Sequence, residues 1–119
     1  MQVETKESVE NLDEILSVPG VDAGYIGPAD LSLSLGLPPA SDHDEPAFVE
    51  AIERVLEACK RHNVVPGAHA GNVVTARKRL AQGFLMVEMC DDAGSLARSA
   101  AADLKAVRGS PGGAANIAV

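Results

Sequence analysis

The chain has 119 residues, one domain's worth or less. Its 10 Lys plus Arg against 17 Asp plus Glu give a formal charge of −7, which argues against sequence-independent nucleic-acid binding and offers an anionic membrane no polybasic face. With 46% hydrophobic residues, disorder is not expected; no apolar run reaches the ~18 residues of a membrane span, and no basic-then-apolar leader opens the chain.

The period of apolar residues switches repeatedly between two and 3.6 along the chain. Gln2-Val3-Glu4 is a very short strand. Thr5 can cap a following helix, which Ser8 to Val18 continues with Val9, Leu12, Ile15 and Leu16 at helical spacing. Pro19-Gly20 stops it. Val21 to Ile26 reads as a buried strand ending at Gly27-Pro28, and Ala29 to Gly36 as a short helical turn. Leu37 to Glu45 is a Pro- and Asp-rich loop.

Pro46 suits a helix start, where its missing N–H costs nothing. That helix runs to about Arg61, with Phe48, Ile52, Val55, Leu56 and Cys59 on one face. Val64 to His69 is strand-like, with Pro66 marking a start or an irregular edge. Asn72 caps a helix stopped by Gly83, and Phe84 to Met89 is the last strand. Asp91 to Ser95 reads as a loop, Leu96 to Val107 as a final helix, and 110–119 as a flexible Gly- and Ala-rich tail after a single domain over 1–109. Four strand–helix units predict an α/β fold with a parallel sheet, either half of a (β/α)8 barrel or a small doubly wound sheet.

Cys59 and Cys90 lie far apart and outside any short metal-binding spacing, so no disulfide framework is expected and a cytoplasmic location is the default. Both are expected to be buried, and Met86 and Met89 to pack. The aromatics are Tyr25, Phe48 and Phe84, too few for a base-stacking platform.

In parallel α/β folds functional groups gather at the carboxyl ends of the strands. Those ends carry Glu4, the Gly27-Pro28-Ala29-Asp30 turn, His69, and Cys90-Asp91-Asp92. Glu4 and Asp30 together suit a hard divalent cation, which waters and substrate oxygens would complete. Such an ion can hold a 2-keto acid and stabilise the enolate formed by aldol cleavage. Plainer readings stand beside this one: Glu4 as a surface acid, Asp30 as a helix cap. Gly27 lets the backbone approach a ligand, and the turn after it opens a helix whose free N–H groups favour an anion. His69 either contacts substrate or is a hydrogen-bonded strand-end histidine. Asp91 and Asp92 are either lip residues or a solvated loop.

Gln2-Val-Glu-Thr5, Ser8-Val-Glu-Asn-Leu-Asp-Glu-Ile-Leu16, Val18-Pro-Gly-Val-Asp22 and Tyr25-Ile-Gly-Pro-Ala-Asp-Leu-Ser-Leu-Ser-Leu-Gly36 together resemble the HpcH/HpaI aldolase family. The likeness continues through Pro66-Gly-Ala-His-Ala70 and Gly83-Phe-Leu-Met-Val87. It implies strands five to eight of a (β/α)8 barrel. It also implies a class II, metal-dependent carbon–carbon lyase that cleaves a 4-hydroxy-2-oxo acid to pyruvate and an aldehyde. By position, Glu4 and Asp30 are the metal ligands (Mg2+, Mn2+ or Co2+). Gln2, Gly27, Pro28, Ala29, Asp30 and His69 are the substrate-binding residues, with the Ala29 N–H on the pyruvate carboxylate.

The family's catalytic His, assisting Asp and pyruvate-binding Arg belong to the other half, and nothing here matches them. Met1 falls within what the resemblance makes the fifth strand, so the chain is expected to be a fragment, a split product or a misplaced start. It would then fold poorly alone, form homo-oligomers or associate with a missing barrel half. A citrate-lyase-branch enzyme acting on a CoA thioester, and a non-catalytic fragment, are the alternatives.

Overall fold

The computed structural model describes residues 1–109. The elements are β1 (Gln2–Val3), α1 (Lys6–Glu10), α2 (Leu12–Leu16), β2 (Ala23–Ile26), α3 (Pro28–Ser34), α4 (Pro46–His62), β3 (Val65–His69), α5 (Val73–Gln82), β4 (Met86–Glu88) and α6 (Asp92–Arg108). They divide into two compact units, Met1–Met89 and a second that starts at Cys90. The predicted tail over 110–119 lies outside the described residues. No helix among the described residues is long and apolar enough to cross a membrane.

In the first unit the four strands form one parallel sheet in the order β1-β2-β3-β4. Alternate strand residues face opposite ways. Val3, Gly24, Ile26, Pro66 and Ala68 are buried on one face, which the helices cover. α4 packs on α1, α2, β2 and β3, and buries Phe48, Ile52, Val55 and Cys59 there. Fully burying each of the larger side chains contributes roughly 1.5–3 kcal/mol. Burial also pushes the Cys59 thiol pKa up, although Cys59 Sγ reaches the Gly24 carbonyl at 4.0 Å. α4 ends on Asn63 in the left-handed region at φ 55°, with Lys60, Arg61 and His62 in the last turn to offset its dipole.

Local chemistry explains several departures from expectation. The helix predicted as one piece is two, because Asn11 breaks it. Its backbone leaves the helical region at φ −104° and ψ 22°, while its Nδ2 donates to the Glu7 carbonyl at 3.0 Å in competition with the helix. The start at Thr5 holds: Thr5 and Ser8 form a reciprocal capping box.

Pro66 sits second in β3, an interior strand, and not at an irregular edge. In a parallel ladder a residue's N–H and C=O face the same neighbour. The Pro66 carbonyl accepts from Leu85 N–H at 3.0 Å, so its missing N–H faces the segment ahead of β4's first paired residue, Met86. Bonding to β2 is untouched, since Val65 N–H donates to the Asp22 carbonyl at 2.9 Å.

β4 is accordingly shorter than predicted. Met86 and Met89 are exposed and outside the core, because Met86 points away from the helix-covered face and Met89 lies beyond the strand. Cys90, expected to be buried, is exposed for the same reason. Asp91 to Ser95 is not a loop. Asp91 caps α6 by accepting from Gly94 N–H at 2.5 Å, and Asp92 opens the helix.

Candidate active site

The sheet face opposite α4 is ordered in rows. Gln2, Tyr25, Gly67 and Met86 stand side by side in register, one residue to each strand. One pleat further on, at the carboxyl ends, the same register carries Glu4, Gly27, His69 and Glu88. This upper row, Gln2, Tyr25 and the turn from Pro28 to Asp30 enclose an open pocket of about 210 Å3. All seven residues expected in the site from the sequence line it: Gln2, Glu4, Gly27, Pro28, Ala29, Asp30 and His69.

Two glycines shape this face by what they lack. A Cβ on Gly27 would overlap the Glu4 carboxylate, with Cγ at 2.7 Å and Cδ at 2.9 Å. A Cβ on Gly67 would meet Met86 Cε at 2.7 Å and Tyr25 Cδ2 at 2.8 Å. Glu4 therefore leans over Gly27, and the Tyr25 ring leans over Gly67. Gly27→Ala tests the first gap. The φ of −94° suits alanine, so the collision with Glu4 is the main disturbance. Little loss of melting temperature and about ten-fold weaker Mn2+ binding are expected by thermal melt and calorimetry. Unchanged binding would show that the Glu4 carboxylate has no role there.

Glu4 follows β1 and is half-buried; Asp30 is the third residue of α3 and exposed. α3 starts at Pro28 on the uncapped Gly27. It is held by buried Leu31, by Ser32 Oγ donating to the Pro28 carbonyl at 2.6 Å, and by Lys6 N–H donating to Ser34 Oγ at 2.8 Å. Asp30 does not cap the helix with its side chain. Neither Glu4 nor Asp30 has a side-chain hydrogen bond or ion pair with another described residue.

The sequence reading missed Tyr25 and Glu88. The Tyr25 hydroxyl donates to Glu88 Oε2 at 2.8 Å, and His69 Nδ1 lies 3.6 Å from the same oxygen. Burial, and then the Glu88 carboxylate, push the Tyr25 pKa far up. Period two was the available signal: Tyr25 precedes Gly27 by two, and Glu88 ends the strand that the sequence pattern carries one residue further, to Met89. Asp91 and Asp92, offered in its place, are the cap and first turn of α6.

The model of the HpcH/HpaI aldolase/citrate lyase family matches residues 1–99. The chain belongs to that family. It is 41% identical over 108 residues to a hydroxypyruvate/pyruvate aldolase of Rhizorhabdus wittichii, covering 88% of this chain and 43% of that protein. It is 38% identical over 102 residues to a 4-hydroxy-2-oxo-heptane-1,7-dioate aldolase of Escherichia coli, covering 86% of this chain and 38% of that one. A crystal structure of an HpcH/HpaI aldolase/citrate lyase family protein from Burkholderia cenocepacia has a TM-score of 0.82 at 35% identity, over 91% of this chain and 41% of that one. The chain spans about two fifths of the length of these relatives. Its four parallel strands correspond to half of the (β/α)8 barrel of HpcH/HpaI aldolases.

Proposed function

We propose that this chain builds one wall of the active site of a carbon–carbon lyase, which reversibly cleaves a 4-hydroxy-2-oxo acid to pyruvate and an aldehyde. The carrying observation is the pair Glu4 and Asp30. These are two carboxylates without a described partner, on one pocket, just past the carboxyl ends of adjacent parallel strands. The aldolase names of the two relatives point to the same reaction type.

Two carboxylates suit a divalent cation that keeps waters and substrate oxygens in the rest of its shell, which is the habit of Mg2+ and is open to Mn2+ and Co2+. Among the described residues no group of three or more His, Cys, Asp and Glu is gathered around one point, so the donor set fits an open site and not a closed cage. Glu4 and Asp30 would hold the ion, whose contribution when bound is to polarise the oxygens of a 2-keto acid. Gln2 offers an amide donor to the substrate from the same pocket. Ala29 offers its backbone N–H to a carboxylate, because the first amides of a helix have no partner within it. His69 lines the same pocket.

The test is an Mn2+ titration of the chain, followed by water-proton relaxation and by thermal melt, with and without pyruvate. Saturable binding that tightens with pyruvate is expected. At about 100 times Kd the metal adds about 2.7 kcal/mol of stability. Absence of saturable binding, or binding indifferent to pyruvate, overturns the reading.

A further inference from the structure

The His69–Glu88 end of the pocket carries a charge that a metal on Glu4 and Asp30 does not use. Glu88 ends β4, opposite His69 in the register. Its Oε2 accepts a hydrogen bond from the Tyr25 hydroxyl at 2.8 Å. The His69 Nδ1 distance of 3.6 Å is too long for a hydrogen bond. Tyr25 keeps its proton and commits it to Glu88. Beside the His69 ring, this corner offers a ligand the acceptors Glu88 Oε1 and the lone pairs of the Tyr25 oxygen. No Lys or Arg among the described residues lines the pocket, so no fixed cation there receives a second anionic group.

We propose that Glu88, held by Tyr25, sets the specificity of this site. It favours a 2-keto acid whose far end is uncharged and carries hydroxyl donors, and disfavours one ending in a second carboxylate. The inference rests on the reading of the pocket as a 2-keto-acid site. A terminal hydroxyl donates to Glu88, whereas a terminal carboxylate meets a like charge and finds its lone pairs facing lone pairs. Specificity of this kind comes from repulsion as much as from contact. Glu88 is half-exposed, so solvent screens the repulsion and the expected discrimination is moderate.

The probes are 6-hydroxy-2-oxohexanoate and 2-oxoadipate. They share head group and length, differ only at the far end, and lack the 4-hydroxyl that aldol cleavage needs. Their affinities for the Mn2+-loaded chain are measured by calorimetry beside pyruvate. Tyr25 is the single tyrosine and there is no tryptophan, so ultraviolet emission reports binding at this corner independently. The hydroxy acid is expected to bind about ten-fold more tightly than the diacid. Glu88→Gln is expected to reduce that ratio to within about three-fold, and Tyr25→Phe, which keeps the charge but releases it, to an intermediate value.

Equal affinities in the native chain overturn the proposal while leaving the 2-keto-acid reading intact, provided pyruvate binds. A ratio that survives both substitutions does the same. Failure of pyruvate itself to bind overturns the site reading and the proposal together.

Discussion

Glu4→Gln and Asp30→Asn are each expected to abolish saturable Mn2+ binding, a loss of at least about 100-fold, since even groups that only support metal ligands cost 10–100-fold when removed. Each substitution preserves shape and removes one charge. Neither carboxylate has another described partner, so no other bond is lost. The metal-free chain should therefore melt at the same temperature or slightly higher, because two like charges on one pocket repel. Opposite signs for metal affinity and metal-free stability separate a ligand from a structural residue. Calorimetric titration beside thermal melts of the two variants makes the measurement. Unchanged metal affinity in both would remove these residues from the site.

Asp42→Ala is expected to cost about 3 kcal/mol, which in a domain of this size moves the melting temperature by roughly 10–20 °C. Asp42 lies in the loop between α3 and α4 and binds two cations of α5, Lys78 at 2.5 Å and Arg79 at 2.6 Å. The Arg79 side chain is 2% exposed. Its remaining contacts are Gln82 Oε1 at 2.9 Å and the Phe48 ring, 5.9 Å from centroid to guanidinium carbon. Removing Asp42 leaves a buried cation without its counter-charge, which is where large losses arise.

The same bond carries an acid dependence. Burial raises the Asp42 pKa, but the Lys78 hydrogen bond and the Arg79 charge outweigh it, so Asp42 titrates below its ordinary value. In acid the unfolded chain then binds the proton more readily than the folded one. The stabilisation is complete above the unfolded-state pKa, about 3.9, and is lost as pH falls through the lower folded value. Urea melts from neutral pH down through that range should show this part of the acid slope in the native chain and not in Asp42→Ala. A neutral-pH loss within half a kcal/mol, or an unchanged slope, would contradict the account.

Features that depend on neighbouring residues were legible in the sequence. The face of α4, the start at Pro46, the cap at Asn72 and the stop at Gly83 all follow from spacing and capping chemistry, and the structure has them. So do the Gly27–Asp30 turn and the convergence of Glu4 and His69, because strand ends are short-range features that a parallel sheet then gathers. What escaped depends on distance. Tyr25 meets Glu88 across 63 residues, and no local pattern foretells which residue will lean over Gly67. Arg79 sits among exposed-looking Arg77 and Lys78, and only the loop carrying Asp42 makes it interior. The end of β4 was misplaced because Met89 and Cys90 continue an apolar run that the backbone no longer follows as strand.

The row that lines the pocket has a consequence for how such a site changes over time. Each of its members directly follows a helix-facing residue: Val3 precedes Glu4, Ile26 precedes Gly27, Ala68 precedes His69, and Val87 precedes Glu88. A shift of one residue in β1, β3 or β4 would carry a carboxylate or imidazole beneath the covering helices, where an unpaired charge is not tolerated. The hydrophobic side therefore acts as a ruler for the chemical side, fixing where each reactive group stands without touching it. Side chains at His69 and Glu88 can then be exchanged one at a time, each new group arriving at a position already measured, and a lineage can try new substrates without renegotiating its fold.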